Sequence, residues 1–186
     1  MSKKIINGDV NLSNLHLKQL PSGLLNDVHV SGYFYCYDNK LTSLEGAPNS
    51  VDSDFNCTSN KLTSLVGSPH SVGDDFNCAV NNITSLVGSP INVGGNFFCY
   101  YNKLISLEGS PKTVGGNFDC SYNKLTSLSG SPKTVGGDFD CSVNKLTSLE
   151  GTPSSVDGDF FCGDNSVQFT EEQVRSVCNV KGRVYV

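Results

Sequence analysis

Cysteine, aspartate and histidine are the side chains here that could hold a metal or catalyse a reaction, and their spacing tests each use. Seven of the eight cysteines, Cys36, Cys57, Cys78, Cys99, Cys120, Cys141 and Cys162, follow one another at steps of 21 residues. A zinc site needs cysteines paired at short spacing that converge on one point. The chain has no C-x-x-C pair, and a linear file of thiols does not converge. The cysteines therefore read as small buried apolar side chains, a role that free cysteine commonly fills. An odd number of buried thiols in one file points to a reducing compartment, and hence to the cytoplasm. His16, His29 and His70 share no repeat position, so no histidine column stands beside the many serines and aspartates to form a triad. Neither a phosphate-cradling glycine loop nor a dinucleotide fingerprint occurs. These residues predict a chain without catalytic residues, metal or cofactor.

The positions of the cysteines follow from a repeat that covers most of the chain. A phenylalanine stands two residues before each of the seven, from Phe34 and Phe55 through Phe118 to Phe160. An asparagine stands three residues after each, from Asn39 to Asn165. The unit reads V-x-G-x-F-x-C-x-x-N-K-L-T-S-L-x-G-S-P-x-x, and Val114 to Thr134 matches it throughout. Val114, Gly116, Phe118 and Cys120 alternate with Gly115, Asn117 and Asp119. This period of two predicts one strand with a single buried face. Asn123 to Pro132 is too short and too rich in Gly, Ser and Pro for a helix, and predicts turns or extended chain on the return side. One strand and one return per unit give a solenoid with parallel strands about 4.8 Å apart, in which Phe stacks on Phe, Cys on Cys and Leu on Leu.

Composition agrees with a folded binding module. Charged residues are 17% and hydrophobic residues 37%, too apolar for a disordered chain. The net charge of -5 disfavours direct contact with nucleic acid, which needs clustered Lys and Arg. No stretch approaches the roughly 18 apolar residues of a membrane span, and the first residues lack the apolar run of a signal peptide.

Phe118-x-Cys120-x-x-Asn123-x-Leu125 resembles the leucine-rich-repeat signature L-x-L-x-x-N-x-L. Pro111 to Val114 is similar to the Pro-x-x-Leu of short bacterial leucine-rich repeats, whose back face carries no helix. The distance from Val114 to Phe118 is one residue longer than in that family. The resemblance implies a mainly β, right-handed leucine-rich-repeat solenoid of about 8 coils with a parallel sheet. It also implies that the seven asparagines bond the backbone of neighbouring coils as a ladder. The wording of the unit further resembles repeats in proteins of large tailed phages. Gly136-Gly-Asp-Phe-Asp140 resembles a calcium-binding glycine-rich nonapeptide repeat, but the period is wrong and Phe139 stands where glycine is required.

Three parts make up one domain. Residues 1–27 form a degenerate capping repeat, in which Ile6, Gly8, Val10, Leu12, Leu17 and Leu20 occupy repeat positions and Pro21 to Asp27 adds about three residues. Residues 28–166 hold the seven regular repeats. Residues 167–186 form a small C-terminal cap, predicted as a helix opened by a Thr170–Gln173 capping box, then a turn and a short strand. Atypical ends protect the open edges of a solenoid.

The strand positions that point away from the core predict the binding face. One column carries Asp54, Asp75, Asp138 and Asp159, with Asn96 and Asn117 between them. The next carries Tyr35, Asn56, Asn77, Phe98, Asp119, Asp140 and Phe161. Tyr37 and Tyr100 follow the cysteines, with Tyr101 and Tyr122 one residue later. Carboxylates stacked at strand spacing repel one another, which suggests solubility or a cationic partner. Phe98, Tyr100, Tyr101 and Tyr122 resemble the aromatic anchors of an interface, and Tyr35 with Tyr37 forms a second patch. Lys40, Lys61, Lys103, Lys124 and Lys145 predict a basic lateral edge. The leading expectation is a protein partner with a basic or mixed surface, bound to this face and, by the phage resemblance, inhibited or redirected. Mimicry of nucleic acid by the aspartate columns and a structural role in a virion are the alternatives.

Overall fold

Apolar side chains repeating at fixed intervals bury themselves only by stacking coil on coil, and the chain does so throughout. The computed structural model describes residues 4–21 and 23–186; residues 1–3 and 22, which belong to the predicted N-terminal cap, lie outside it. Two parallel sheets of nine strands run the length of a β-solenoid of nine coils. The first sheet takes Lys4–Ile6, Val28–Val30, Ser50–Val51, Ser71–Val72, Asn92–Val93, Thr113–Val114, Thr134–Val135, Ser155–Val156 and Asn179–Val180. The second takes Val10–Asn11, Phe34–Tyr35, Phe55–Asn56, Phe76–Asn77, Phe97–Phe98, Phe118–Asp119, Phe139–Asp140, Phe160–Phe161 and Val184–Tyr185. Coils are numbered 1 to 9 in this order.

Register is strict. Phe97 pairs with Phe118, Phe118 with Phe139, and Val114 with Val135. The seven phenylalanines form one internal file, each fully buried, with neighbouring rings 5.1–5.6 Å apart. Stacked pairs of this kind add about 0.5–1.5 kcal/mol each beyond the area they bury. The cysteines and the leucines of the return segment complete the core.

One prediction needs correction. The strand expected from Val114 to Cys120 is two short strands separated by a bend at Gly115–Asn117. The reason lies in the direction of the hydrogen bonds. At the bend three successive N–H groups donate back to the preceding coil, Gly136 to Val114, Gly137 to Gly116 and Asp138 to Asn117 Oδ1. In a parallel ladder successive N–H groups point to opposite neighbours, as they do again where Phe118 donates forward to Asp138. One strand cannot accommodate that run, so the chain bends and forms a second sheet. The nine coils agree with the expected count of about eight, the further one arising at the C-terminus. The last segment supplies strands to both sheets, with Val180 beside Val156 and Val184 beside Phe160. The predicted helix is present at Glu171–Val177, opened by the Thr170–Gln173 capping box, and it sits between coils 8 and 9. In coil 1, Ile6 pairs with Val30 and Val10 with Phe34, as the degenerate repeat predicts.

Among the described residues, the return segments leading from coil 1 to coil 8 hold no helix. A glycine at each corner from Gly46 to Gly151 has φ between 83° and 94°, a conformation that costs other residues strain.

Phe118 touches a phenylalanine on either side, so Phe118→Ala opens a cavity in the middle of the file. The substitution should cost about 3–5 kcal/mol of stability in denaturant unfolding. A loss below about 1 kcal/mol would contradict the internal file.

Candidate functional site

The face that could meet a partner is built on three side-chain ladders, and these decide which groups are free. In the first, the asparagine after each cysteine clamps two coils. Asn102 Nδ2 donates to the carbonyls of Cys78 in the preceding coil and of Cys99 and Tyr100 in its own. Its Oδ1 accepts from the Ile83 N–H at 3.0 Å. Equivalent bonds recur from Asn39 to Asn165. The ladder that the resemblance implied is therefore present.

In the second, the aspartate columns have work inside the fold. Asp138 Oδ1 accepts the N–H of Asp159 at 2.7 Å, and Asn117 Oδ1 accepts that of Asp138 at 2.8 Å. Asp75 and Asn96 do the same for the coils that follow them. Each such N–H sits at the bend between the two strands, where a side-chain oxygen replaces a carbonyl. The approach is close. A Cβ on Gly116 would overlap Asn96 Oδ1, and one on Gly158 would overlap Asp138 Oδ1. The glycine is not obligatory: Ser53 stands there in the coil after Tyr33, and Asp74 stands there although Asp54 Oδ1 still accepts from the Asp75 N–H. Stability therefore does select these oxygens, which the sequence reading had assigned only to solubility or a partner.

In the third, the column before the cysteine makes local turns. Asp119 Oδ1 accepts from Ser121 N–H and Oγ–H at 2.9 and 2.6 Å, and Asp140 does the same with Ser142. Asn56 and Asn77 accept from the N–H of Thr58 and Ala79. Burial raises the Asp119 carboxyl above its ordinary range; the Ser121 bonds oppose this and the Asp140 charge adds to it.

The thiols are inert by the same logic. Five of them donate to the carbonyl before the next coil's cysteine, as Cys99 does to Asp119 at 3.3 Å. Burial holds Cys99, Cys120 and Cys141 well above the ordinary thiol range, and pushes Cys162 and Cys178 up to about 11.

The aromatic predictions fall together. Phe98 meets Tyr100 edge-on with ring centres 6.2 Å apart, Tyr100 meets Tyr101 at 6.0 Å, and Tyr101 stacks on Tyr122 at 4.2 Å. Tyr101 and Tyr122 are 51% and 44% exposed. Both sit at a corner that every regular coil turns with a left-handed residue, φ 50–52° here and 55° at Val80. Such a conformation is strained for β-branched and bulky residues. The asparagine clamp on the adjoining carbonyls imposes it. Tyr35 packs against Tyr37 at 5.8 Å, and its hydroxyl donates to Asp54 Oδ2 at 3.1 Å. Burial and that bond push the phenol up to about 12. The predicted lysines, such as Lys40 and Lys124, are exposed.

Three features escaped the sequence reading. Tyr33 stacks on Tyr35 at 4.1 Å, and Tyr185 on Phe161 at 4.6 Å. The second pairing follows from the register, which sets Phe161 beside Tyr185, whereas Tyr33 and Tyr35 lie two apart in one coil; Tyr185 was missed because coil 9 was read as cap. On the return side Val66 and Val87, in the same position of neighbouring coils, are largely exposed.

Among the described residues no helix is long and apolar enough to cross a membrane. Comparison of the chain with protein-family models, curated proteins and solved structures finds no match in any of the three.

Because an amide oxygen can replace a carboxylate in the second ladder, Asp138→Asn should leave the unfolding midpoint nearly unchanged. Asp138→Ala leaves the Asp159 N–H without its acceptor and should cost about 1–3 kcal/mol. Equal losses in the two variants would reject the capping role. Asp119 gives a pH test. Its carboxyl is raised in the fold, so its charge opposes folding at neutral pH, and that penalty disappears as the pH falls through its folded value. Asp119→Asn should therefore raise the thermal midpoint at pH 7 relative to the parent and lose this advantage under acid conditions. A parent more stable than the variant at neutral pH would contradict the sign.

Proposed function

We propose that the chain is a non-catalytic binding module, a solenoid of leucine-rich-repeat type that docks a partner protein on its second-sheet face. The observation that carries this reading is the mutually packed group Phe98, Tyr100, Tyr101 and Tyr122, in which Tyr101 and Tyr122 are exposed and Phe98 and Tyr100 half-buried. Aromatic rings held by one another and by a rigid sheet lose little freedom on binding, which makes them efficient anchors. The surrounding carboxylates Asp54, Asp75, Asp119, Asp138 and Asp140 favour a partner with a basic or mixed surface. Eight free buried thiols suit a reducing compartment such as the cytoplasm. The phage-like wording of the repeat makes a host or defence protein the reading's partner, with inhibition or redirection as the outcome. Mimicry of nucleic acid draws less support, because the aspartate oxygens cap backbone N–H groups and so are positioned by the fold.

Coil 3 supplies ready replacements, since Asn56, Thr58 and Ser59 occupy the places of Phe98, Tyr100 and Tyr101. The triple variant Phe98→Asn, Tyr100→Thr, Tyr101→Ser should keep the thermal midpoint of the parent. It should lose the protein that the immobilised parent retains from bacterial lysate, identified by mass spectrometry. Undiminished capture by the folded triple variant would reject this face.

A further inference from the structure

Aromatic side chains recur before the cysteine at every third coil: Tyr35 in coil 2, Phe98 in coil 5 and Phe161 in coil 8. Two polar residues separate each pair. Three strand spacings of ~4.8 Å put successive aromatics about 14 Å apart. The face is thus divided into two bays of equal width, each two coils wide.

Asn56 and Asn77 floor the first bay, between Tyr35 and Phe98. It is a cavity of about 80 Å³ whose lining includes Asp54 and Asp75, which already accept side-chain bonds from the Tyr35 hydroxyl and Asn96 Nδ2. This volume suits one side chain. Asp119 and Asp140 floor the second, side by side in register between Phe98 and Phe161. Asp138 stands beside them. Each of these three carboxylates uses its Oδ1 within the fold. Among the described residues their Oδ2 atoms have no hydrogen bond or ion pair; the ion pairs present are His29–Asp52, Arg175–Glu171 and Lys181–Asp157. Like charges stand together here without a cation, between apolar walls.

We propose that the two bays take successive cationic side chains, arginine or lysine four residues apart, from an extended segment of the partner running along the stack. The inference rests on the strand-face reading above and names its ligand chemistry. Guanidinium and ammonium groups pair with carboxylate oxygens and also lie favourably against aromatic faces. The spacing supplies the register. An extended chain rises ~3.4 Å per residue, so four residues cover about 14 Å, the distance between bay centres. Residues four apart also point to the same side of an extended chain, whereas residues three or five apart point to opposite sides.

The test uses the full chain and three fluorescein-labelled Ser/Gly peptides of roughly 12 residues, each with two arginines separated by three, four or five positions. Fluorescence anisotropy at about 0.15 M salt limits unspecific attraction. The four-residue spacing should bind about tenfold more tightly than the others. Asp119→Asn with Asp140→Asn, and separately Phe98→Asn, should each remove about that factor. Coils 3 and 4 already carry asparagine at this position, so these variants fold, and their circular dichroism and thermal midpoints verify it. Equal binding of the three spacings, absence of binding, or an unchanged affinity in the Phe98 variant would overturn the proposal. If no peptide binds while the triple variant still loses its captured partner, the strand face stands and this ligand does not.

Discussion

Coil-to-coil register depends on one recurring interaction, the buried asparagine that clamps the corner after each cysteine. Its amide donates to carbonyls of its own coil and the preceding one, and its oxygen accepts an N–H from the preceding return segment. A buried carbonyl or N–H without a partner costs about 1–3 kcal/mol, so displacement of one coil by a single residue would strand several polar groups at once. The phenylalanine file supplies burial. The asparagines make the stacking specific and impose the left-handed residue that follows each Ser, Thr, Ala or Tyr after the cysteine.

The aspartate and asparagine column at the bend solves a second problem. The bend before Phe118 leaves the Asn117 N–H without a backbone acceptor. A side-chain oxygen from the coil before fills the gap, and in coils 5 to 9 the glycine one residue earlier provides the room. Acidic character on this face is thus partly a consequence of the architecture. Among the described residues Asp119, Asp138 and Asp140 each keep one oxygen without a hydrogen bond, whereas both oxygens of Asp54 and Asp75 already accept one. Rigid ladders on the inside and aromatic groups on the outside together make a surface whose spacing is set by the strand repeat.

Much of this was legible in the sequence because the period of 21 residues exposes every column at once. The buried Phe and Cys files, the glycine-rich return, the capping box at Thr170 and the meeting of Phe98 with Tyr100, Tyr101 and Tyr122 follow from register alone. The bend at Gly115–Asn117 was not legible. Side-chain alternation from Val114 to Cys120 is compatible with one strand, and the direction of N–H groups leaves no mark on residue type. For the same reason Asp138 looked like a free surface charge when it is a cap. Coil 9 was hidden because Val180, Val184 and Tyr185 replace the repeat's wording while keeping its spacing, after a helix inserted at Glu171–Val177.

Hydrogen exchange of the seven asparagine side-chain amides, followed by NMR on the native protein, examines the clamp directly. Buried amides that bridge coils should exchange orders of magnitude more slowly than exposed ones such as that of Asn92, and Asn60 to Asn144 should be the slowest because coils cover them on both sides. Side-chain amides from Asn60 to Asn144 that exchange as fast as that of Asn92 would show that the coils are not held in this register.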